Sequence, residues 1–212
     1  MTNLHHNQPL LTAGVPLERA QSALILIHGR GASAQDILSL SVEFAVPDIV
    51  YLAPQAAGYQ WYPNRFSVPL ASNEPWFSSA IARLTDLLAQ VGAAGIPTER
   101  IFLLGFSQGA CLALEYGARH PQRYGGIFGL SGALIENGDQ PRAYTGSLAG
   151  TPVFLGCSDV DFHIPLARVQ RSTQLFQQLG AAVTERIYPG MGHTVNQDEL
   201  DFVQATLSGK QI

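Results

Sequence analysis

At 212 residues the chain is long enough for one sizeable core and short for two, so a single domain over residues 1–212 is expected. Hydrophobic residues at 46% against 13% charged suit a buried sheet, and a net charge of −4 leaves no footprint for nucleic acid. No apolar run has membrane-spanning length, no basic and apolar leader opens the chain, and Cys111 and Cys157 are too few for a disulfide framework, so a cytoplasmic protein without stable membrane insertion is expected.

Residues 1–20 are polar and mixed, and read as an N-terminal segment that is partly disordered, with a short hairpin through Gly14. His5 and His6 fall in that tail and are not read as a metal site. Residues 23–27 are continuously apolar, the signature of a strand buried on both faces. They run into His28-Gly29-Arg30-Gly31, and a helix follows from Ala34 with Ser33 as N-cap. Residues 49–53 predict the next strand, closed by Pro54.

Residues 55–74 carry Gly58, Pro63 and Pro69 among Tyr59, Trp61, Tyr62 and Phe66, with no helical period. A loop of that length inside a compact domain is usually functional, and Trp61, Tyr62 and Phe66 are candidates for an apolar substrate-binding wall. Pro75 suits the first turn of a helix, whose stripe of Phe77, Ala80, Ile81, Leu84, Leu87, Leu88 and Val91 has helical spacing. Gly92, Gly95 and Pro97 end it. Strands are further predicted at 101–104, 126–131, 152–156 and 184–188, and helices at 108–119, 165–179 and 199–207, with a polar loop over 135–151. Alternation of this kind predicts a mostly parallel central sheet with helices on both faces. No segment is left for a separate cap domain.

Gly105-Phe106-Ser107-Gln108-Gly109 sits between a predicted strand and a predicted helix, the context that a G-x-S-x-G nucleophile elbow requires. A serine hydroxyl needs a histidine to take its proton and a carboxylate to hold that histidine's tautomer. The chain order serine, acid, histidine found with this elbow is available. His193, in Gly190-Met191-Gly192-His193-Thr194 after the last strand, is the candidate base; His163, before that strand, is its rival. Asp159 and Asp161 both lie in the loop after the 152–156 strand, and either also suits a turn or an N-cap. The backbone N–H of Gln108, after the nucleophile, and that of Arg30, after the first buried strand, are the candidate oxyanion donors. No G-x-x-x-x-G-K-[ST] pattern supports a phosphate loop there instead.

Taken together, Ile27-His28-Gly29-Arg30-Gly31, Trp61-Tyr62, the elbow, Asp161 four residues before Pro165, and Gly190-Met191-Gly192-His193-Thr194 resemble the phospholipase/carboxylesterase family of α/β-hydrolases. The resemblance spans roughly residues 23–195 and implies an α/β-hydrolase fold. It also implies Ser107 as nucleophile, His193 as base, Arg30 and Gln108 as oxyanion donors, and Asp161 as the acid. The activity it implies is ester or thioester hydrolysis without a metal or organic cofactor, and with no segment left for a cap the expected substrates are small to medium carboxylic esters. Acyl-protein thioesterase or lysophospholipase activity is the rival among enzymes, and a catalytically silent binder of small esters is the rival outside them. The expected partner is a small-molecule ester, with a homodimer left open.

Overall fold

The computed structural model describes residues 3–138, 140 and 142–209. Its centre is built from the continuous apolar runs: β2 (Ser22–Ile27), β3 (Ile49–Pro54), β4 (Ile101–Phe106), β5 (Gly126–Leu130) and β6 (Pro152–Ser158). With β1 (Leu10–Gly14) and β7 (Ala182–Tyr188) they form one sheet in the order β1-β3-β2-β4-β5-β6-β7. Every pairing is parallel except that of β1 with β3.

Continuous apolarity is explained by two cores, one on each face of the sheet. Ala23, Ile25 and Ile27 of β2 point into a core with α2 (Trp76–Ala93), α3 (Gln108–Arg119) and α4 (Leu166–Gln178), while Leu24 and Leu26 point to the other side. There α1 (Ala34–Leu38) contributes Ile37 and Leu38, and α5 (Gln197–Leu207) contributes Phe202, Val203 and Leu207. The α2 stripe buries Phe77, Ala80, Leu84, Leu87, Leu88 and Val91, as its spacing predicts. Ser33 caps α1 in a box with Asp36, and Asn196 caps α5 in the same way with Glu199.

The N-terminal segment departs from expectation. Leu10 to Gly14 do not fold back on themselves as a hairpin; they pair antiparallel with β3, from Leu10 opposite Pro54 to Gly14 opposite Val50. Nor is His5 a tail residue, because it is fully buried. Its Nε2 lies 3.1 Å from the Trp61 carbonyl, and its Nδ1 accepts the Ala57 N–H at 3.0 Å. Its partners lie more than fifty positions away, so local polarity gave no sign of them. His6 stays on the surface, 3.2 Å from Asp86 of α2. Met1 and Thr2, the first of the expected disordered residues, lie outside the described residues, as do Asp139 and Pro141 of the 135–151 loop.

The chain leaves β2 toward β3 on one side of the sheet and later returns to β4 on the other. Parallel sheets open a crevice beyond the strand ends where the order reverses in this way. Arg30, after β2, and Ser107, after β4, stand on its two sides.

Candidate active site

Ser107 joins β4 to α3 with φ 55° and ψ −118°, a backbone conformation that L-residues rarely hold. The sequence makes it sterically accessible through two absent side chains. A Cβ on Gly105 would stand 2.1 Å from the Gly109 carbonyl oxygen, and one on Gly109 would stand 2.0 Å from that of Ile27. The elbow therefore works only with glycine at both positions. The Ser107 N–H donates to the Leu130 carbonyl at 3.0 Å, which ties the strained turn to β5.

Two loops at the same end of the sheet bring the partners in. His193, after β7, has Nε2 2.8 Å from Ser107 Oγ and Nδ1 2.7 Å from Asp161 Oδ2. With Asp161 taken as a carboxylate, Nδ1 is its donor and the Nε2 lone pair faces the serine hydroxyl. Asp161 is buried, and its other oxygen accepts the N–H groups of His163 and Ile164 at 2.8 and 3.1 Å. The Cys157 thiol, pushed up to about 12 first by burial and then by the Asp161 charge, approaches Oδ2 at 3.8 Å as a neutral donor. Asp159 has different work: its Oδ1 accepts the Gly190 N–H at 2.8 Å, while Ser158 Oγ accepts that of Gly192 at 3.1 Å. Both bonds fasten the histidine loop. His163, the rival base, does not bond to the serine; its ring lies 4.7 Å from that of His193, whose ring is also 5.0 Å from Phe106.

The side chains of Gln108 and Arg30 make contacts that the motif does not imply. The first turn of a helix leaves backbone N–H groups without intrahelical acceptors, and Gln108 opens α3. Its buried side chain accepts the Trp61 N–H and donates to the Tyr62 carbonyl, both at 2.8 Å, so one amide holds the aromatic loop by both of its polar ends. The Arg30 guanidinium donates to the carbonyls of Tyr62, Pro63 and Asn64 at 3.0, 2.6 and 2.5 Å. Neither function leaves a periodic or motif signal.

A cleft of about 430 Å³ opens over Ser107, walled by Tyr62 and Phe66 on the loop side and by His163 and Ile164 on the acid side. Trp61 does not line it, contrary to expectation. The indole is fully buried, because its N–H finds an acceptor in the His28 carbonyl at 2.9 Å and its ring packs 5.3 Å from His5 and 5.1 Å from His28. His28 is buried too, and burial lowers its pKa. Its Nε2 accepts the Ala56 N–H at 3.0 Å, which leaves Nδ1 to donate to the Gly29 carbonyl at 2.7 Å. An apolar groove of about 270 Å³, with Ile37, Leu40 and Val195, adjoins the cleft across Phe106, Gly29 and Ala32.

The model of the phospholipase/carboxylesterase family matches residues 14–210. The chain belongs to that family. A solved family structure, a phospholipase/carboxylesterase from Dyadobacter fermentans DSM 18053, is 41% identical and superposes with a TM-score of 0.90 over 95% of this chain and 97% of that one. Curated relatives include acyl-protein thioesterase 1 of Saccharomyces cerevisiae strain S288c, 27% identical over 93% of this chain and 98% of its own length. Acyl-protein thioesterase 1 of Gibberella zeae strain PH-1 is 38% identical, over 58% of this chain and 53% of that protein. The fold is the α/β-hydrolase fold of the family, and no helix among the described residues is long and apolar enough to cross a membrane.

Proposed function

We propose that the protein is a serine carboxylesterase that cleaves small to medium carboxylic esters through an acyl-enzyme. The observation that carries the reading is the unbroken chain from Ser107 Oγ to His193 Nε2 and from His193 Nδ1 to Asp161, at 2.8 and 2.7 Å. His193 takes the hydroxyl proton as Ser107 attacks the ester carbonyl, and Asp161 stabilises the imidazolium that forms. The backbone N–H groups of Gln108 and Arg30 receive the developing oxyanion. Collapse expels the alcohol, which takes its proton from His193; water then repeats the sequence and frees the acid.

The apolar side chains of the cleft and of the adjoining groove, Phe66, Phe106, Ile37, Leu40 and Val195 among them, support an acyl group as the bound part, and the reading takes short and medium ones. Each buried methylene contributes about 0.8 kcal/mol, so specificity rises over the first carbons and stops where the apolar wall ends. Thioesters form a second reading, favoured by the thioesterase names of the curated relatives and served by the same three groups. The cytoplasm is the compartment this reading takes, over one domain spanning 1–212; light scattering after size exclusion decides between monomer and homodimer.

Labelling with a fluorophosphonate followed by peptide mass mapping tests the core of the reading. Modification is expected at Ser107 alone, and Ser107→Ala is expected to lose at least ~10³-fold in kcat while staying folded. A folded protein that resists the probe supports the silent binder instead. A 4-nitrophenyl ester series from acetate to palmitate, with matching thioesters, then fixes acyl length and leaving atom. A kcat/KM still rising beyond about twelve carbons overturns the short-to-medium assignment.

A further inference from the structure

The charge of the cleft runs against that of the chain. The protein carries a net charge of −4, yet among the described residues no Asp or Glu lines the cleft, whereas Arg30, Arg65, His163 and His193 all do. Asp161 lies beneath, committed to His193 and to two backbone N–H groups. The Arg30 guanidinium is held by three neutral carbonyls, so its hydrogen bonds are satisfied while its charge stays uncompensated.

Arg65 is different, because its guanidinium has no partner among the described residues. Its backbone, in contrast, is pinned on both sides. Buried Asn73 accepts the Asn64 N–H at 2.8 Å and donates to the Arg65 carbonyl at 3.3 Å, and the Phe66 carbonyl accepts the Glu136 N–H at 2.8 Å. A rigid mount under an unengaged, permanently charged fork suits capture of an oxyanion, since little order is lost when the ligand arrives. We infer that, within the esterase reading on which this rests, the preferred substrates carry a carboxylate or similar oxyanion away from the scissile ester, and that Arg65 receives it in a cleft made electropositive by Arg30. Bidentate pairing of guanidinium with carboxylate provides the geometry, and the field of the two arginines draws the anion in.

Two pairs of esters test this, each pair differing only in one charge. Mono-4-nitrophenyl adipate and its methyl ester place the charge on the acyl arm; 4-acetoxybenzoate and its methyl ester place it on the leaving arm. The quantity read is the kcat/KM of the anionic ester divided by that of its neutral twin, so intrinsic reactivity cancels between variants. Arg65→Gln is expected to lower this ratio about tenfold for one of the pairs, and Arg65→Lys to restore part of it, as expected for loss of a charge-assisted hydrogen bond. Raising salt from about 0.05 to 0.5 M is expected to shrink the wild-type ratio, since exposed charges are then screened. The pair that responds tells which arm carries the anion. A ratio within twofold of wild type in Arg65→Gln for both pairs overturns the proposal while Ser107-dependent turnover of the neutral twins leaves the esterase reading standing. Wild-type protein that cleaves none of the four and is not labelled at Ser107 overturns both.

Discussion

At the scale of single residues, Asp159 and Asp161 are two carboxylates of one loop with unequal work. Asp161 sets the tautomer of His193 through a 2.7 Å bond, whereas Asp159 only accepts a backbone N–H from the histidine loop. An asparagine at 159 keeps a carbonyl oxygen for that N–H, while one at 161 removes the charge that stabilises the imidazolium in the proposed mechanism. Asp161→Asn is therefore expected to lose about 10³-fold or more in kcat and Asp159→Asn less than about tenfold, on a 4-nitrophenyl ester with folding checked by circular dichroism. Similar losses in the two variants sink the assignment. The meeting of Ser107 and His193 is legible in the sequence because an elbow and a glycine-flanked turn are local patterns with local geometric consequences, and the proposed donors Gln108 and Arg30 are placed by the same patterns. The Gln108 amide, the Asn73 brace and the burial of Trp61 are not legible there, since each depends on partners brought close only by the finished fold.

At the scale of elements, α3 carries the elbow at its front and a buried charge behind. Glu115 is fully buried and accepts from Arg119 at 2.6 Å, from the Tyr144 hydroxyl at 2.8 Å and from Arg142. Arg142 also donates to the Ile135 carbonyl at 2.7 Å, so this cluster moors the polar loop after β5 to the helix. Glu115→Ala leaves two guanidinium groups without their acceptor and is expected to cost about 3 kcal/mol of unfolding free energy, measured by urea denaturation. A change below about 0.5 kcal/mol shows that solvent replaces the carboxylate at no cost. Elements are legible in the sequence where burial on both faces or one helical stripe governs the residues, as in β2 and α2. Strand β1 carries only weak alternation, and its pairing with β3, some forty residues on, is not written locally, so a local hairpin is all that its sequence suggests.

At the scale of the whole molecule, buried titratable groups pull stability in opposite directions with pH. Burial lowers the pKa of His5 and His28 below the ordinary 6.5, so below that pH the unfolded chain binds more protons and stability falls as pH drops. Glu199 does the reverse. Its carboxyl, with Oε1 unbonded among the described residues, is raised by burial to about 7, so the folded chain keeps a proton that the unfolded chain releases above 4.5. Stability contributed by that group falls as pH rises from 4.5 to 7. Glu199→Gln is expected to steepen the loss of stability on acidification from pH 6.5 to 5, read as urea midpoints, because the offsetting glutamate is gone. Equal slopes contradict the assignment.

The reach of His5 also bears on where this molecule begins as an object to be made. The family match starts at residue 14, after the whole of the His5 contact and most of β1. A chain trimmed to that boundary keeps Ser107, Asp161 and His193 yet loses the imidazole that packs behind Trp61 and bonds Ala57, together with the strand that covers the edge of β3. The aromatic wall would then stand without its rear support, and a row of backbone donors and acceptors on β3 would lie open to pairing with another chain. Domain limits drawn from shared sequence would here yield a protein with the proposed reaction centre intact, a loosened entrance and a tendency to aggregate.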